Sequence, residues 1–408
     1  MSAGALALRT FSADQALIGL ALASIYLIPP LGGSDFAIRP IYLFYGLIPF
    51  LAGKNLAFDY LRYYFLFLLS ALISILFGSA VLNVHTGIPD YLEIVRLILP
   101  LPAFLIGHLL FTEYRARFNA LILRLSLVIA LITAFQHFKL MGGFFSKLYS
   151  ADSQLPAALG LETEYMRVVG VSGNPNDAGM LFFFLQLLFM STLLKKVSAG
   201  MILGWGCSTI CLAMTQSKTA YAAFAFSIFF IFIINQHYRF LLIAAAVLSL
   251  CWVLFAHDAA YVNNFYTAVH DDGLFGANVF AVRFENALVA YDIWRASPLL
   301  GWGVAKEIHP SVVDVEYFLL LRRYGLIGVA CLAAFLLATG ARALRHIASS
   351  DANIAICANF LCVVSPAILI FMTSNNVFSA YYNQFFFFMM LGVFAEALQT
   401  SRADTRLK

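Results

Sequence analysis

Charge is what this sequence has least of. Only 11% of its 408 residues are Asp, Glu, Lys or Arg, against 62% hydrophobic residues. Soluble chains carry about 25% charged and roughly 45–50% apolar residues. A soluble fold of this length would have to cover its surface with charge, so a soluble domain is excluded. The mean hydropathy of +0.86 agrees. Long polar stretches are missing too, so residues 1–408 read as one membrane domain. No Lys/Arg run is long enough to follow a phosphate backbone, and the net charge is only +4. Nucleic acid is therefore not an expected partner. The six cysteines, Cys207, Cys211, Cys251, Cys331, Cys357 and Cys362, all sit in apolar runs. They read as buried thiols and not as a disulfide framework. His, Cys and carboxylate residues do not cluster with metal-ligand spacing, and P-loop, dinucleotide and G-x-S-x-G patterns are lacking. No metal or cofactor is expected. Residues 1–14 lack a signal-peptide cleavage pattern, so the first apolar run reads as its own insertion signal.

What is present is a series of apolar runs near the roughly 20 residues that span a bilayer. They fall at about 15–32, 40–53, 60–82, 91–112, 119–138, 177–194, 199–215, 219–235, 240–256, 315–341, 353–373 and 381–398. The expected fold is an all-α polytopic membrane protein of about twelve spans. Strands are not expected, because runs such as Leu181 to Phe189 are apolar on every side and do not alternate. Arg115 and Arg117, Lys195 and Lys196, Arg239, Arg342 and Arg345, and Arg402 and Arg406 follow even-numbered spans. With twelve spans they share one side, which the positive-inside rule makes the cytoplasm, with both termini there. Two long connections, 139–176 and 257–314, then lie on the outer side. Both mix aromatics, Gly, Pro and charges, which predicts ordered, functional structure on the membrane face.

The candidates for chemistry gather in these connections. The first ends in Arg167-Val-Val-Gly-Val-Ser-Gly-Asn174-Pro175-Asn176-Asp177. That is a tight turn in which Asn176 or Asp177 can cap the next helix. Arg167 beside Gly-rich backbone and a helix N-terminus makes a phosphate site. Ser217-Lys218 interrupts two apolar runs and puts an ammonium near the interface. In the second connection, Arg283 to Arg295 has helical spacing, with Phe284, Leu288, Tyr291 and Arg295 on one side. It reads as an amphipathic helix ended by Pro298 and Gly301. Trp302, His309, Asp314, Glu316, Tyr317, Arg322 and Arg323 follow. Ionisable groups this close to a span are costly unless paired or solvated. A salt-bridged structural network and a polar site for an anionic substrate both fit them. Glu93 and Arg96 are spaced to pair across one helical turn.

Four of these runs come in a recognisable order. They are Gly-Val-Ser-Gly-Asn-Pro-Asn (170–176), Ser217-Lys218, Pro298-Leu-Leu-Gly-Trp-Gly, and Asp-Val-Glu-Tyr-Phe-Leu-Leu-Leu-Arg-Arg-Tyr-Gly-Leu-Ile-Gly (314–328). Together, over about 165–345, they resemble the O-antigen ligase and O-antigen polymerase superfamily of bacterial membrane glycosyltransferases. The resemblance implies a GT-C-like inner-membrane enzyme whose donor is a glycan on undecaprenyl diphosphate, met at the periplasmic leaflet. It implies that Arg167, Lys218 and Arg283 bind the diphosphate, with Arg295, Arg322, Asn174 and Asn176 nearby. The family often has Arg where Lys218 stands. Ligases typically carry His-Asn where this chain has Asp314-Val315, so the resemblance is closer to the Wzy-type polymerases. Asp314 or Glu316 is then the expected general base, with His309 in reserve, and Tyr317 and Trp302 are candidate sugar-stacking groups. Membrane lipids, a chain-length regulator and a flippase are the expected partners. An O-antigen ligase, a transporter of polysaccharide precursors and a non-catalytic assembly partner are the competing functions.

Overall fold

The computed structural model describes residues 13–28, 58–115, 118–150, 155–159, 161, 167–237, 267, 270, 278–306, 308, 313, 315–378 and 381–406. Every regular element among these residues is helical. The α-helices are α1 (Ala13–Tyr26), α2 (Arg62–Val81), α3 (Ile88–Ile98), α4 (Pro100–Tyr114) and α5 (Phe118–His137). They continue as α6 (Phe144–Tyr149), α7 (Leu155–Leu159), α8 (Pro175–Leu193), α9 (Ala199–Thr215) and α10 (Lys218–Ile234). The last are α11 (Asn278–Arg295), α12 (Glu316–Leu344), α13 (Ala352–Phe371) and α14 (Tyr381–Arg406).

Among the described residues, six segments are long and apolar enough to cross a membrane: α2, Ile88–Thr112, α5, α8, α12 and α13. The second joins α3 to α4 across Leu99, with Pro100 opening α4. Helices α9 and α10 are apolar but shorter. The expected runs at 40–53 and 240–256 lie outside the described residues.

The helices are built to face lipid. On α2 the side chains of Leu66, Leu69, Ile73 and Leu76 are exposed, while Ser70, Ser74 and Gly78 are buried. In water that pattern would leave a large apolar patch, which marks a membrane-facing surface. Small and polar residues instead point inward, where they allow close helix approach. The α4–α14 contact shows how close. A Cβ on Gly107 would lie 1.9 Å from the Met389 carbonyl oxygen, and one on Gly392 2.0 Å from that of Phe104. Helices α8 and α13 form the centre of the bundle, with most of their lengths buried. Phe183 meets Phe371 at 5.4 Å and Phe184 meets Phe360 at 5.9 Å, ring centre to ring centre.

The contacts sort the connections into two ends. At one end, Arg115 pairs with Asp351 at 2.9 Å, Lys195 donates to the Ile347 carbonyl at 3.1 Å, and Arg342 stacks 4.2 Å from the Tyr60 ring centre. Three of the basic connectors grouped by the sequence therefore meet at one end, while Arg117 and Arg239 lie outside the described residues. At the other end lie the N-termini of α8, α10 and α12 and the C-termini of α9 and α13.

The 257–314 connection departs from the expected arrangement. Part of it does not rest on a membrane face but is threaded into the bundle. Helix α12 is broken at Gly325, which adopts φ 63° and ψ −171°. A continuous helix would bond Leu326 N–H to Arg322 and Ile327 N–H to Arg323. Here Leu326 and Ile327 donate to the carbonyls of Pro298 and Leu299, at 2.9 and 3.1 Å. The freed Arg322 and Arg323 carbonyls accept from Trp302 and Gly303, both at 2.9 Å. The Ser74 hydroxyl donates to the Arg323 carbonyl at 2.5 Å and accepts from Gly303 N–H at 3.1 Å. The 298–303 segment thus replaces the bonds that the break removes. Unpaired backbone at this depth would be costly, and irregular backbone is tolerated only when protein covers it.

Candidate functional site

The end that holds three helix N-termini also holds the candidate cations. Its first wall is the turn before α8. Val168, Val169 and Val171 are fully buried, and Gln136 donates to the Gly170 carbonyl at 2.8 Å. Gly170 and Gly173 have φ of +53° and +83°, conformations that glycine adopts without a Cβ penalty. The cap of α8 is Asn174, not the expected Asn176 or Asp177. Its Oδ1 accepts from Asn176 N–H at 2.8 Å, and Pro175 takes the first helical position. Proline suits that place because its missing N–H would have no helical partner there. Asn176 is thereby released for another task. Its Oδ1 accepts from Arg167 Nη2 at 3.0 Å, while Arg167 Nε donates to the Thr215 carbonyl at 3.3 Å. These two bonds fix the guanidinium between α8 and the end of α9.

Lys218 opens α10 after Ser217, which is buried against α8. Gly179 of α8 makes room, since a Cβ there would lie 2.8 Å from Ser217 Cβ. The Lys218 ammonium is within electrostatic reach of both Arg167 and Arg283 and is repelled by both. Arg283 comes from α11, which packs along α12 through Ala287 and Ala290. The exposed face of α11 carries Leu288 and Tyr291, with Arg295 exposed in its last turn. Three cations from distant parts of the chain therefore converge. Like charges held together are unfavourable unless carboxylates of the protein, another anion or solvent offset them.

Glu316 is at the same end but is employed differently. It is fully buried, and its two carboxylate oxygens accept from Val377 and Phe378 N–H at 2.6 and 2.7 Å. Its own N–H donates to the Met372 carbonyl at 3.0 Å. It clamps the α13–α14 connection to the start of α12. The hydroxyls of Thr219 and Ser374 tie the same connection to α10, beside Lys218. Tyr317 donates its hydroxyl to the Leu369 carbonyl at 2.6 Å, and the Trp302 indole donates to the Ile293 carbonyl at 2.8 Å. Both rings are half-buried and anchored at one edge. Asp314 and His309 lie outside the described residues.

Arg322 does not join the cluster around Lys218. It lies at the α12 break, fully buried beside Arg323. There the expected Glu93–Arg96 pair is present at 2.7 Å, and the Lys306 ammonium also touches Glu93. Arg323 approaches the other Glu93 oxygen at 3.8 Å. The sequence reading missed Lys306 and Arg323 as partners of Glu93. The Arg-Arg-Tyr-Gly run was the available signal, since two arginines before a glycine inside a span mark a discontinuity. Among the described residues, His, Cys, Asp and Glu side chains do not gather into a group of three that could hold a metal ion.

Fold and site together describe a multi-pass helical membrane protein with Arg167, Lys218 and Arg283 gathered at one end. The family model described as O-Antigen ligase matches residues 203–319. It takes in most of α9, α10, α11, the inserted 298–303 segment and the start of α12. The match supports the O-antigen ligase and polymerase superfamily, the relationship that the four ordered motifs indicated. No curated protein matches the chain.

Proposed function

We propose that this chain is a membrane glycosyltransferase that polymerises glycan repeat units carried on undecaprenyl diphosphate. The observation that carries the reading is the convergence of Arg167, Lys218 and Arg283 beside the N-termini of α8 and α10. Guanidinium, ammonium and helix N-termini all favour a dianionic phosphate. In glycosyl transfer from a lipid diphosphate, negative charge grows on the leaving diphosphate as the glycosidic bond breaks. Fixed cations stabilise that charge most in the transition state. Arg167 and Arg283 flank the diphosphate and Lys218 meets it from the helix end. Asp314 takes the proton of the attacking sugar hydroxyl, a contribution commonly worth about 10²–10⁴-fold. Glu316, with both oxygens committed to backbone, positions the α12 N-terminus rather than acting as the base.

The proposed setting is a GT-C-like scaffold of twelve spans in the bacterial inner membrane, with both termini in the cytoplasm. The grouping of Arg115, Lys195 and Arg342 at the end opposite Lys218 supports this orientation. The Lys218 cluster then faces the periplasm, where a flippase would deliver the lipid-linked unit and a chain-length regulator would act.

A second reading has its own support. The matched family model is described as O-Antigen ligase, and a ligase would use the same donor site but pass the glycan to lipid A-core. A chromosomal deletion separates the two. Loss of a polymerase leaves core capped by one repeat unit, whereas loss of a ligase leaves core uncapped. In the complemented deletion, Arg283→Ala and Asp314→Ala are expected to abolish long-chain polysaccharide while the protein stays in the membrane. Normal chain length from either variant refutes the assignment.

A further inference from the structure

At the end opposite the Lys218 cluster, Asp59, Tyr60, Arg342, Arg345 and His346 line a cavity of about 280 Å³. It lies between the 58–60 turn that leads into α2 and the C-terminal end of α12. That volume equals about nine waters at liquid density, enough for one small charged head. Its walls carry two guanidiniums and an imidazole against the single carboxylate of Asp59. Arg342 and Arg345 are three residues apart and share one side of the helix end. The Arg342 guanidinium sits over the Tyr60 ring, 4.2 Å from its centre, and the His346 ring packs edge-on against Phe394 at 5.9 Å. A guanidinium held over an aromatic face still presents its N–H edge to a bidentate anion. Other carboxylates at this end are committed. Asp351 pairs with Arg115, while Glu396 meets His108 at 3.0 Å and accepts from Thr400. Among the described residues, neither Arg342 nor Arg345 comes within ion-pair distance of a carboxylate.

The surroundings of the cavity narrow what its anion is. From Leu326 to Leu344, α12 rises about 28 Å, close to the roughly 30 Å of bilayer hydrocarbon. Arg342 and Arg345 therefore stand at the headgroup level of one leaflet. Phe58, Phe65 and Leu344 are exposed beside them, and the two Phe rings meet at 6.3 Å. Leu66 and Leu69 continue the exposed apolar surface along α2, and Leu337 continues it along α12. A soluble anion gains nothing from such a surface. The acyl chains of a lipid cover it while the head enters the cavity.

We infer that this cavity binds the phosphate head of an anionic phospholipid, with Arg342 and Arg345 as donors and Tyr60 holding Arg342 in place. Basic pockets between membrane helices suit such heads. The bound lipid bridges the start of α2 and the end of α12. These are the two helices that frame the 298–303 segment, where Ser74 of α2 bonds to the Arg323 carbonyl and to Gly303 N–H. A ligand that holds them together stabilises the folded protein by mass action.

The test uses purified, delipidated full-length protein, probed with phosphatidylglycerol, phosphatidylcholine and inorganic phosphate. Native mass spectrometry reads the tightest-bound equivalent, and thermal unfolding reads its effect. Phosphatidylglycerol is expected to bind more tightly than phosphatidylcholine and to raise the melting temperature more. Arg345→Gln should weaken phosphatidylglycerol about fivefold, and Arg342→Gln together with Arg345→Gln about thirtyfold. Lys196→Gln removes an exposed cation outside the cavity and should leave the affinity unchanged. Equal affinity for the two lipids overturns the proposal. So does a loss in Lys196→Gln as large as that in Arg345→Gln, which would mean a general attraction to basic residues. Inorganic phosphate that displaces phosphatidylglycerol at matched concentration also overturns it, as a free-anion site. Arg345 is exposed, so Arg345→Gln should fold normally, and unchanged phosphatidylglycerol affinity in that variant refutes the site.

Discussion

Replacing Gly325 by Ala should disconnect the inserted 298–303 segment from α12. A Cβ at Gly325 would lie 2.2 Å from the Leu299 carbonyl oxygen and 2.6 Å from the Gly301 nitrogen. Both obstacles are backbone, so no side-chain rotation relieves them. The φ and ψ of 63° and −171° also belong to a region that is essentially glycine's alone. Keeping the break with Ala costs of order 1–3 kcal/mol in strain before the overlap is counted. Straightening the helix recovers the bonds from Leu326 and Ile327 to Arg322 and Arg323, but it strands the backbone of Pro298, Leu299, Trp302 and Gly303. That is a net loss of two hydrogen bonds, about 1–3 kcal/mol. Either route weakens docking by about 1–3 kcal/mol, a factor of roughly 5 to 160. The segment carries Trp302, so intrinsic fluorescence should report its release. Polysaccharide chain length, read on a gel from the complemented deletion, should collapse. Gly206→Ala is the control, because a Cβ there meets nothing within 4 Å. Wild-type chain length with an unchanged Trp spectrum in Gly325→Ala would refute the broken-helix account.

Glu316→Gln keeps the side-chain shape but leaves one oxygen to serve two N–H donors. Losing one charge-assisted bond costs about 1.5–3 kcal/mol, so a lower melting temperature is expected, with transfer impaired in proportion to the loss of fold. Full stability would show that the clamp is not what holds the α13–α14 connection. Gly392→Ala puts a methyl 2.0 Å from the Phe104 carbonyl oxygen and should force α4 and α14 apart. Reduced protein in the membrane is expected, and normal yield with normal melting would refute the close contact. Lys218→Met should raise KM for the lipid-diphosphate donor at least tenfold and flatten its dependence on ionic strength. An unchanged KM would remove Lys218 from the donor site.

The sequence by itself determined the membrane character, the helical class and the grouping of Arg115, Lys195 and Arg342 at one end. These follow from hydropathy and charge, which are local properties. Apart from α6, α7 and α11, the described helices fall on the apolar runs for the same reason, and the Glu93–Arg96 pair was legible because it spans one turn. The α11 helix was legible too, although it starts at Asn278, before the expected Arg283. The cap of α8 was misassigned because three neighbouring residues could each serve, and only the folded turn chose Asn174 and turned Asn176 toward Arg167. The bonds from Val377 and Phe378 to both Glu316 oxygens were not legible, because the donors lie about sixty residues away in the chain. The Arg-Arg-Tyr-Gly run signalled a discontinuity in α12, but its partner was not legible, because the bonds that stabilise the break come from residues 298–303 and no helical periodicity records a partner outside the helix. The convergence of Arg167, Lys218 and Arg283 is likewise tertiary. Three separate segments bring these cations together, so the fold, and not their spacing in the sequence, gathers them.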